Sequence, residues 1–386
     1  MVRPADTHGE GRAGARAERA VAKRAVTRSD VRIATVYTRR PVRPSEIHAM
    51  DRLRWLRISE GLADLGFSVD MIVEAGQNLG SPRPRLRSVS PSRVDWSVYH
   101  VVKTLYPTGF RTLRETGGEK HPFILARVGA VVGPTDSTRG VYFFGEERQA
   151  LWEAHLMIRE RARYVTLITD ASRALWQAQH GLHPPVIMVP TGVDREIPPR
   201  GQSPFAGSPL RTAVYVGNLY ERHSQRELNL QWQERMNTLG ARLLARGIRL
   251  YFVGPGLTDR LDERVVTTVG PISHELVWDY QYFADVGIVL ARGAVQIDDA
   301  SKLYYYLRAG LPVVSEAPVP NNHLITESGL GFIAPYDDDV TMAEMIDAAA
   351  RRSWDRQGAQ AYVLAHHTWE HRARVYERIL SAEFEV

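Results

Sequence analysis

The chain has 386 residues, 44% of them apolar and 24% charged, and it contains no cysteine. That length exceeds what one hydrophobic core usually organises and favours two domains, while the lack of cysteine excludes disulfides and thiolate metal sites and fits a cytoplasmic protein. The net charge of +5 is uneven, since residues 1–130 carry 23 basic and 13 acidic groups, but RNA-binding and zinc-finger signatures are missing, so no nucleic-acid partner is expected.

The predicted elements begin after a tail. Residues 1–30 contain no aromatic residue, leucine or isoleucine, and we expect a disordered basic segment there. Strands are predicted at 31–37 and 67–73. The helix between them ends at Gly66 and has apolar residues at spacings of three and four, namely Trp55, Ile58, Leu62 and Leu65. Strand, helix and strand in this order predict a right-handed βαβ unit in a parallel sheet.

The same alternation continues in two series that a Pro- and Gly-rich segment separates. The first series adds VDWSVYHVV, PFILARVGAVVG, GVYFF, a long helix at 146–162, YVTLIT and PVIMVP. The second runs through RTAVYVGN, IRLYFVG, VVTTVG, DVGIVLA and LPVVS. We therefore predict an α/β protein with two Rossmann-like domains facing a cleft. The predicted boundaries are 31–197 for the first domain, 198–210 for the linker, 211–352 for the second domain and 353–386 for a C-terminal helical segment.

The stretch DDASKLYYYLRAGLPVV carries one of only four lysines in the chain. Asp298 or Asp299 is a suitable N-cap for a helix that begins near Ala300. The free amides of the first turn and the helix dipole, together with the charge of Lys302, predict a binding site for a diphosphate. A solvated surface lysine is the alternative interpretation.

This stretch resembles the nucleotide-sugar-binding helix of two-domain, GT-B-type glycosyltransferases, with Lys302, Gly310 and Pro312 at matching positions. YVGN, FADVGIVLA, VPTGVD and TWEHRARVYERIL match in order and spacing, over about residues 31–380. The likeness is greatest to the xanthan-type glucuronosyltransferases of bacterial cell-surface polysaccharide synthesis. The resemblance implies a metal-independent transferase without a cofactor, which moves a sugar such as glucuronic acid from a UDP-sugar to a saccharide or lipid-linked acceptor. It also implies that the C-terminal helix crosses back onto the first domain.

The resemblance further implies a set of donor-binding residues. They are Gly217, Asn218, Arg222, Gly270, Pro271, Ile272, Arg292, Ser301, Lys302 and Tyr305. Gly217 would let backbone amides approach the phosphates, and Arg292 would bind the diphosphate or a sugar carboxylate with two hydrogen bonds. Tyr305 stands where many relatives carry Glu or Gln, and its phenol is expected to contact the ribose.

An inverting transfer also requires a base in the first domain that takes the proton of the acceptor hydroxyl. Glu146 and Glu147 lie at a predicted strand-to-helix junction, where related sequences carry an acidic pair. We therefore predict that one of the two is the base, and Glu146 is preferred. Acidic residues in a first turn also stabilise a helix, which is the alternative explanation. Asp170 and Asp136 are the reserve candidates.

No metal site is predicted, although two patterns suggest one formally. The acidic run at 337–339 is expected to end a loop and cap a helix, and the H-x-x-E-H pattern at 367–371 lacks a scaffold for a further ligand. A nucleotide-sugar epimerase of the same architecture and a non-catalytic nucleotide-sugar-binding protein stay open as other functions. A dehydrogenase is not expected, because TRRPVRPSE rather than a G-x-G-x-x-G turn follows the first strand.

An anionic membrane surface is a further expected partner. There is no run of 18 apolar residues and no signal pattern, so neither a membrane span nor secretion is expected. Basic residues with interspersed aromatics in the first domain predict peripheral association with the inner membrane face. These are Arg52, Arg54, Lys103, Arg111, Arg114 and Arg127, with Trp55 and Tyr106 among them. The alternative is a general preference for arginine over lysine.

Overall fold

The computed structural model describes residues 27–37, 50–73, 83–134, 145–219 and 226–386. Two sheets organise these residues, and every strand pairs in parallel with its neighbours. Helices cover the faces of both sheets, which buries long apolar strands on both sides. The predicted fold class, α/β with two Rossmann-like domains, is therefore confirmed.

The first sheet has seven strands in the order β3-β2-β1-β4-β5-β6-β7. They are β1 Arg32–Val36, β2 Ser68–Ile72, β3 Leu86–Val89, β4 Val101–Leu105, β5 Ile124–Arg127, β6 Tyr164–Leu167 and β7 Val186–Met188. The helices of this domain are α1 Met50–Asp64, α2 Tyr106–Glu115, α3 Gly145–Arg161 and α4 Asp170–His180. The predicted strand GVYFF lies outside the described residues.

Helix α1 packs against one face of this sheet through the apolar positions that the sequence indicated. Trp55, Ile58 and Leu62 are almost fully buried, and Leu65 is partly buried at the end of the stripe. Gly66 follows with a φ of +98°, the left-handed conformation that favours glycine after a helix. The spacing of apolar residues thus identified the buried face of α1 correctly.

The second sheet has six strands in the order β10-β9-β8-β11-β12-β13. They are β8 Arg211–Val216, β9 Ile248–Val253, β10 Val266–Gly270, β11 Val286–Val289, β12 Val313–Glu316 and β13 Gly331–Ala334. The accompanying helices are α5 Arg226–Leu244, α6 His274–Phe283, α7 Ser301–Arg308, α8 His323–Ser328 and α9 Asp339–Arg351. Phe205, in the segment predicted as a linker, packs on Tyr251 and Tyr280 of this second domain.

The last two helices, α10 Arg356–His366 and α11 Trp369–Phe384, connect the two domains. Helix α11 packs along α1, which confirms the predicted crossing back to the first domain. Near its end Glu383 accepts hydrogen bonds from Arg163 (Nη2–Oε2, 2.5 Å) and Tyr164 (Oη–Oε1, 2.5 Å) of the first domain. None of the helices in the described ranges combines the length and apolar character needed to cross a bilayer.

Candidate functional site

The two domains meet where the carboxyl ends of β6 and β7 approach the loop between β11 and α7. The Thr191 amide donates to Asp299 Oδ2 at 3.1 Å, and the Thr169 hydroxyl donates to the Ile297 carbonyl. On α7, Arg308 Nε donates to the Asp194 carbonyl at 2.8 Å. Ligands of parallel α/β domains bind beyond the carboxyl ends of the strands, so these contacts place the start of α7 in the candidate site.

The start of α7 differs in one respect from the prediction. Neither Asp298 nor Asp299 caps the helix; Ala300 occupies the N-cap position, and no side chain of its own satisfies the first amides. The Asp299 carboxylate instead accepts from Thr191 across the domain interface. Asn321 fixes the Ala300 backbone, accepting from its amide at 2.8 Å and donating to its carbonyl at 3.1 Å. The first turn of α7 is therefore held from outside the helix.

Lys302 lies in that first turn and reaches the end of β8. Its Nζ is 3.4 Å from the Tyr215 hydroxyl and 4.5 Å from the centroid of the Tyr215 ring. No carboxylate within the described ranges forms an ion pair with it. Burial, and secondarily the positive charge of Arg292, lower the pKa of Lys302 to about 7. A cation that is disfavoured in this way gains strongly from a bound anion.

Glycines line the sheet edge beside Lys302. A Cβ on Gly217 would lie 3.3 Å from Lys302 Cε, and a Cβ on Gly254 would lie 1.7 Å from the Gly217 carbonyl oxygen. The Gly254 amide in turn donates to the Gly270 carbonyl at 3.1 Å. The backbones after β8, β9 and β10 thus approach more closely than side chains would permit, and they leave bare peptide groups next to the lysine.

Arg292 and Asp298 add charge to the loop before α7. The Arg292 backbone amide donates to Gln296 Oε1 at 3.0 Å, which turns the loop back on itself. Burial raises the pKa of Asp298 above its usual value, although the charge of Arg292 opposes this rise. Asp298 Oδ1 has no hydrogen-bond partner in the described part of the chain. The candidate site thus holds a partly buried acid, with a buried Oδ1, that the sequence analysis had considered only as a helix cap.

Tyr305 does not join Lys302. Its side chain is 3% exposed, and the phenol lies beside the Trp369 indole at the start of α11. Burial, followed by the charge of Asp194, raises its pKa well above the ordinary value. A tyrosine on this turn therefore packs the second domain against the C-terminal helix, and the structure does not place its hydroxyl among the other candidate donor residues.

The remaining candidate residues are spread around the cleft. Asn218 and Pro271 are exposed, while Gly270, with a φ of +80°, has open space where a Cβ would stand. Ile272 and Ser301 are partly buried, and Arg222 and Asp136 lie outside the described residues. Glu146 is exposed and Glu147 is partly buried in the first turn of α3. Asp170 is exposed and pairs with Arg173 at 2.7 Å.

Half of the basic set assigned to the surface of the first domain proved to be internal. Arg54, Lys103 and Arg127 are 5%, 2% and 1% exposed, and Trp55 is fully buried. Arg111 and Arg114 are exposed on α2. The surface prediction was wrong for Lys103 and Arg127 because β4 and β5 are central strands, with Lys103 beneath Tyr376 of α11, and wrong for Arg54 because α1 is covered by α11. Sequence alone carries little warning, since strands such as VVKTL have one polar inward position among apolar neighbours.

Neither metal pattern of the sequence forms a cluster in the described part of the chain. No group of three His, Asp or Glu side chains there is arranged to hold an ion. Asp338 caps α9 by accepting from the Thr341 amide at 3.0 Å, which is the role expected for the acidic run. His367 Nδ1 is 2.8 Å from Arg372 Nη2, and its Nε2 is 3.3 Å from the Tyr362 hydroxyl.

Neither a protein-family model nor a curated protein sequence matches the chain, whereas several solved structures do. A sucrose-phosphate synthase from Thermosynechococcus elongatus matches with a TM-score of 0.64 and 16% identity, over 91% of this chain and 100% of that one. HepE from Anabaena, in complex with UDP and glucose, matches with a TM-score of 0.64 and 13% identity, over 91% and 100%. WaaG, a glycosyltransferase involved in lipopolysaccharide biosynthesis, matches with a TM-score of 0.55 and 15% identity, over 90% and 95%.

These matches span nearly the whole of each structure and bear out the GT-B type of two-domain fold. At such low identities a structural likeness establishes the fold alone, because one fold supports many functions. The activity must therefore be argued from the site.

Proposed function

We propose that the protein is a glycosyltransferase that uses a UDP-sugar donor. The observation that carries this proposal is Lys302, a cation without a carboxylate partner in the described part of the chain, beside the bare backbone of Gly217 at the domain interface. A diphosphate matches this arrangement, since helix amides, a lysine and exposed peptide groups all favour an anion. HepE, which shares the fold, was solved with UDP and glucose, and this supports the choice of nucleotide.

The same geometry suits departure of the nucleotide. When the bond between sugar and diphosphate breaks, negative charge grows on the leaving oxygen, and a fixed cation beside it lowers the barrier. Lys302 provides that cation, and Arg292 adds a second positive charge close enough to influence it. No step of this chemistry requires a metal, so we propose a metal-independent transfer without a cofactor.

The proposal includes a general base for the acceptor hydroxyl, the transferred sugar and the biosynthetic role. Glu146 or Glu147 is our proposed base, since both carboxylates begin α3 and Glu146 is accessible. Glucuronic acid as the sugar, and a role in cell-surface polysaccharide synthesis, are supported by the sequence resemblance alone.

Membrane association is supported by the exposed Arg111 and Arg114. We expect the protein to co-sediment with vesicles that contain anionic lipid, and co-sedimentation without any dependence on anionic lipid would argue against this association.

A ligand panel followed by a product assay tests this function. A ligand that binds only the native state raises the melting temperature, so UDP and one or more UDP-sugars should stabilise the protein, and ADP-sugars should do so less. With the stabilising UDP-sugar and a mixture of saccharide acceptors, we expect a glycosylated product in mass spectrometry. Release of UDP without any acceptor would favour an epimerase, and stabilisation without turnover would favour a binding protein.

The affinity for a UDP-sugar should depend on pH in a defined direction. In the free protein the pKa of Lys302 is about 7, and a bound diphosphate raises it, so the complex holds more protons than the free protein above that pH. The dissociation constant should therefore be flat below pH 7 and rise up to about tenfold per pH unit above it. Calorimetric titration with UDP-glucose between pH 6 and 9 measures this slope, and a flat profile across the whole range would contradict it.

A further inference from the structure

Four basic side chains are buried together under the C-terminal helix, next to the domain interface. We call Arg54 on α1, Lys103 on β4, Arg127 at the end of β5 and Arg372 on α11 the buried basic cluster. None of them is more than 7% exposed. Arg127 and Arg54 influence the charge state of both Lys103 and Arg372, so the four groups lie within electrostatic reach of one another.

No member of the buried basic cluster forms an ion pair with a carboxylate in the described ranges. Arginines that meet a buried carboxylate elsewhere are paired with it: the partly buried Arg235 places Nη2 2.8 Å from Glu316 Oε1, and the exposed Arg87 places Nε 2.8 Å from Asp70 Oδ1. Asp299 is near the cluster, but its Oδ2 accepts from the Thr191 amide. Because a buried charge without a partner is strongly unfavourable, the cluster has a deficit of negative charge.

Several donors of the cluster have no hydrogen-bond partner among the described residues. Arg127 Nη1 donates a hydrogen bond to the Val189 carbonyl at 2.8 Å, while Nε and Nη2 of the same side chain have no partner among the described residues. These two N–H groups form one edge of the guanidinium, which binds two oxygens of an oxyanion side by side. The Lys103 ammonium lies over the ring of Tyr376, 4.8 Å from its centroid, and forms no hydrogen bond with the described residues.

The other two members differ in what they offer. Arg54 donates through Nη1 to the Tyr106 hydroxyl and through Nη2 to the Thr191 hydroxyl at 2.6 Å, which leaves its Nε without a partner. Arg372 donates to the Thr191 carbonyl through Nε and lies 2.8 Å from His367 Nδ1 through Nη2, so it contributes charge to the cluster rather than a free donor. Free donors therefore come from Arg54, Lys103 and Arg127.

Arg54 connects the cluster to Tyr106 and, through Thr191, to the domain interface. Tyr106, to which Arg54 donates, directly follows β4 and has a φ of +56°, a strained value for a residue other than glycine. Such strain concentrates at ligand-binding sites. Asp298 of the second domain is within electrostatic reach of Arg54, Arg127 and Arg292, and Asp299 is within reach of Arg127. The cluster and Lys302 are thus on opposite sides of the same interface.

We propose that the buried basic cluster binds a phosphoryl group carried by the acceptor. A phosphoryl group has two negative charges and three terminal oxygens, which match the Arg127 edge, the Lys103 ammonium and Arg54 Nε, whereas a carboxylate has two oxygens and one charge. That the acceptor carries this phosphoryl group rests on the proposed function, whereas binding of the phosphoryl group to the cluster does not.

The test compares Lys103→Met with the exposed control Lys120→Met in thermal unfolding at constant ionic strength. In phosphate-free buffer, Lys103→Met should melt at or above the temperature of the unchanged protein, because it replaces a buried amine whose protonation is disfavoured by burial and by the neighbouring arginines. Inorganic phosphate should raise the melting temperature of the unchanged protein, of Lys120→Met and of Lys302→Met by a few degrees, and that of Lys103→Met by clearly less, with any remainder coming from the anion site at Lys302. Acetate should have a smaller effect than phosphate.

Three outcomes would overturn the site: no stabilisation of the unchanged protein by phosphate, an equal response of Lys103→Met, or a Lys103→Met protein that melts far below the others without phosphate. A hexose phosphate and glycerol phosphate, tested in the same way, distinguish a sugar acceptor from a lipid headgroup. If UDP fails to stabilise the protein while the response to phosphate still depends on Lys103, the proposed function fails and the phosphoryl site stands. If UDP binds and phosphate does not, the reverse holds.

Discussion

Replacing Lys302 by methionine is expected to weaken UDP-sugar binding about 100-fold and to slow transfer by about 100-fold to 1000-fold. Methionine replaces most of the unbranched stem and removes the ammonium group, so the loss reports the interaction of the ammonium with the diphosphate. A charge-assisted contact of this kind contributes about 3 kcal/mol when it is desolvated, and its contribution grows as charge develops on the leaving oxygen. Calorimetric titration and a transfer assay with the donor found by the ligand panel measure the two effects.

The same substitution should leave the fold intact. Burial already lowers the pKa of Lys302 to about 7, so an unbranched apolar side chain of similar size removes a cost in the free protein. Its melting temperature without ligand should match or exceed that of the unchanged protein. Lys120→Met, on an exposed loop of the first domain, is the control for the loss of one lysine and should bind the donor normally. Equal donor affinities of the Lys302 variant and the control would remove the basis of the proposed function.

The parallel α/β architecture could be predicted because its signals are local and repeated. Apolar runs such as those of β1, β2 and β8 alternate with helical spacings, and Gly66 marks the end of α1 within the sequence itself. β3, by contrast, has the short sequence LRSV at an edge of the sheet, with two of its four residues exposed, and its pattern does not stand out. Helix α2 was hidden because it starts at Tyr106, directly after β4, with no polar cap to mark its beginning.

The backbone elements that form the candidate site could be predicted from the sequence, whereas the orientation and burial of several side chains could not. The lysine, the glycines after the strands and the start of α7 depend on residues close in sequence. The orientation of Tyr305 depends on Trp369, which lies 64 positions later, and the burial of Lys103 depends on Tyr376 in the same C-terminal helix. Such contacts are set by the crossing of α11, whose existence the resemblance implied but whose register no local pattern contains.

A buried acid behind the cleft holds the loop that carries Arg292. Glu316, at the end of β12, is fully buried and accepts from the Ala291 amide at 2.6 Å and from the Asp337 amide at 2.9 Å. Arg235 on α5 donates to it through Nη2 at 2.8 Å. One carboxylate thereby joins the ends of β11 and β12 to helix α5, so the position of the loop depends on a charge that never touches a ligand.

Changing Glu316 to glutamine should therefore destabilise the protein by about 3 kcal/mol and weaken donor binding several-fold. The amide nearly preserves the shape, but its NH₂ group must face one of three N–H donors and cannot accept from it. Asp347→Asn is the matched control, since its carboxylate pairs with Arg351 on α9 at 2.7 Å near the surface and should change stability by about 0.5 kcal/mol. Urea unfolding followed by tryptophan fluorescence measures both. If the two variants unfold at the same urea concentration, Glu316 does not hold the loop that carries Arg292.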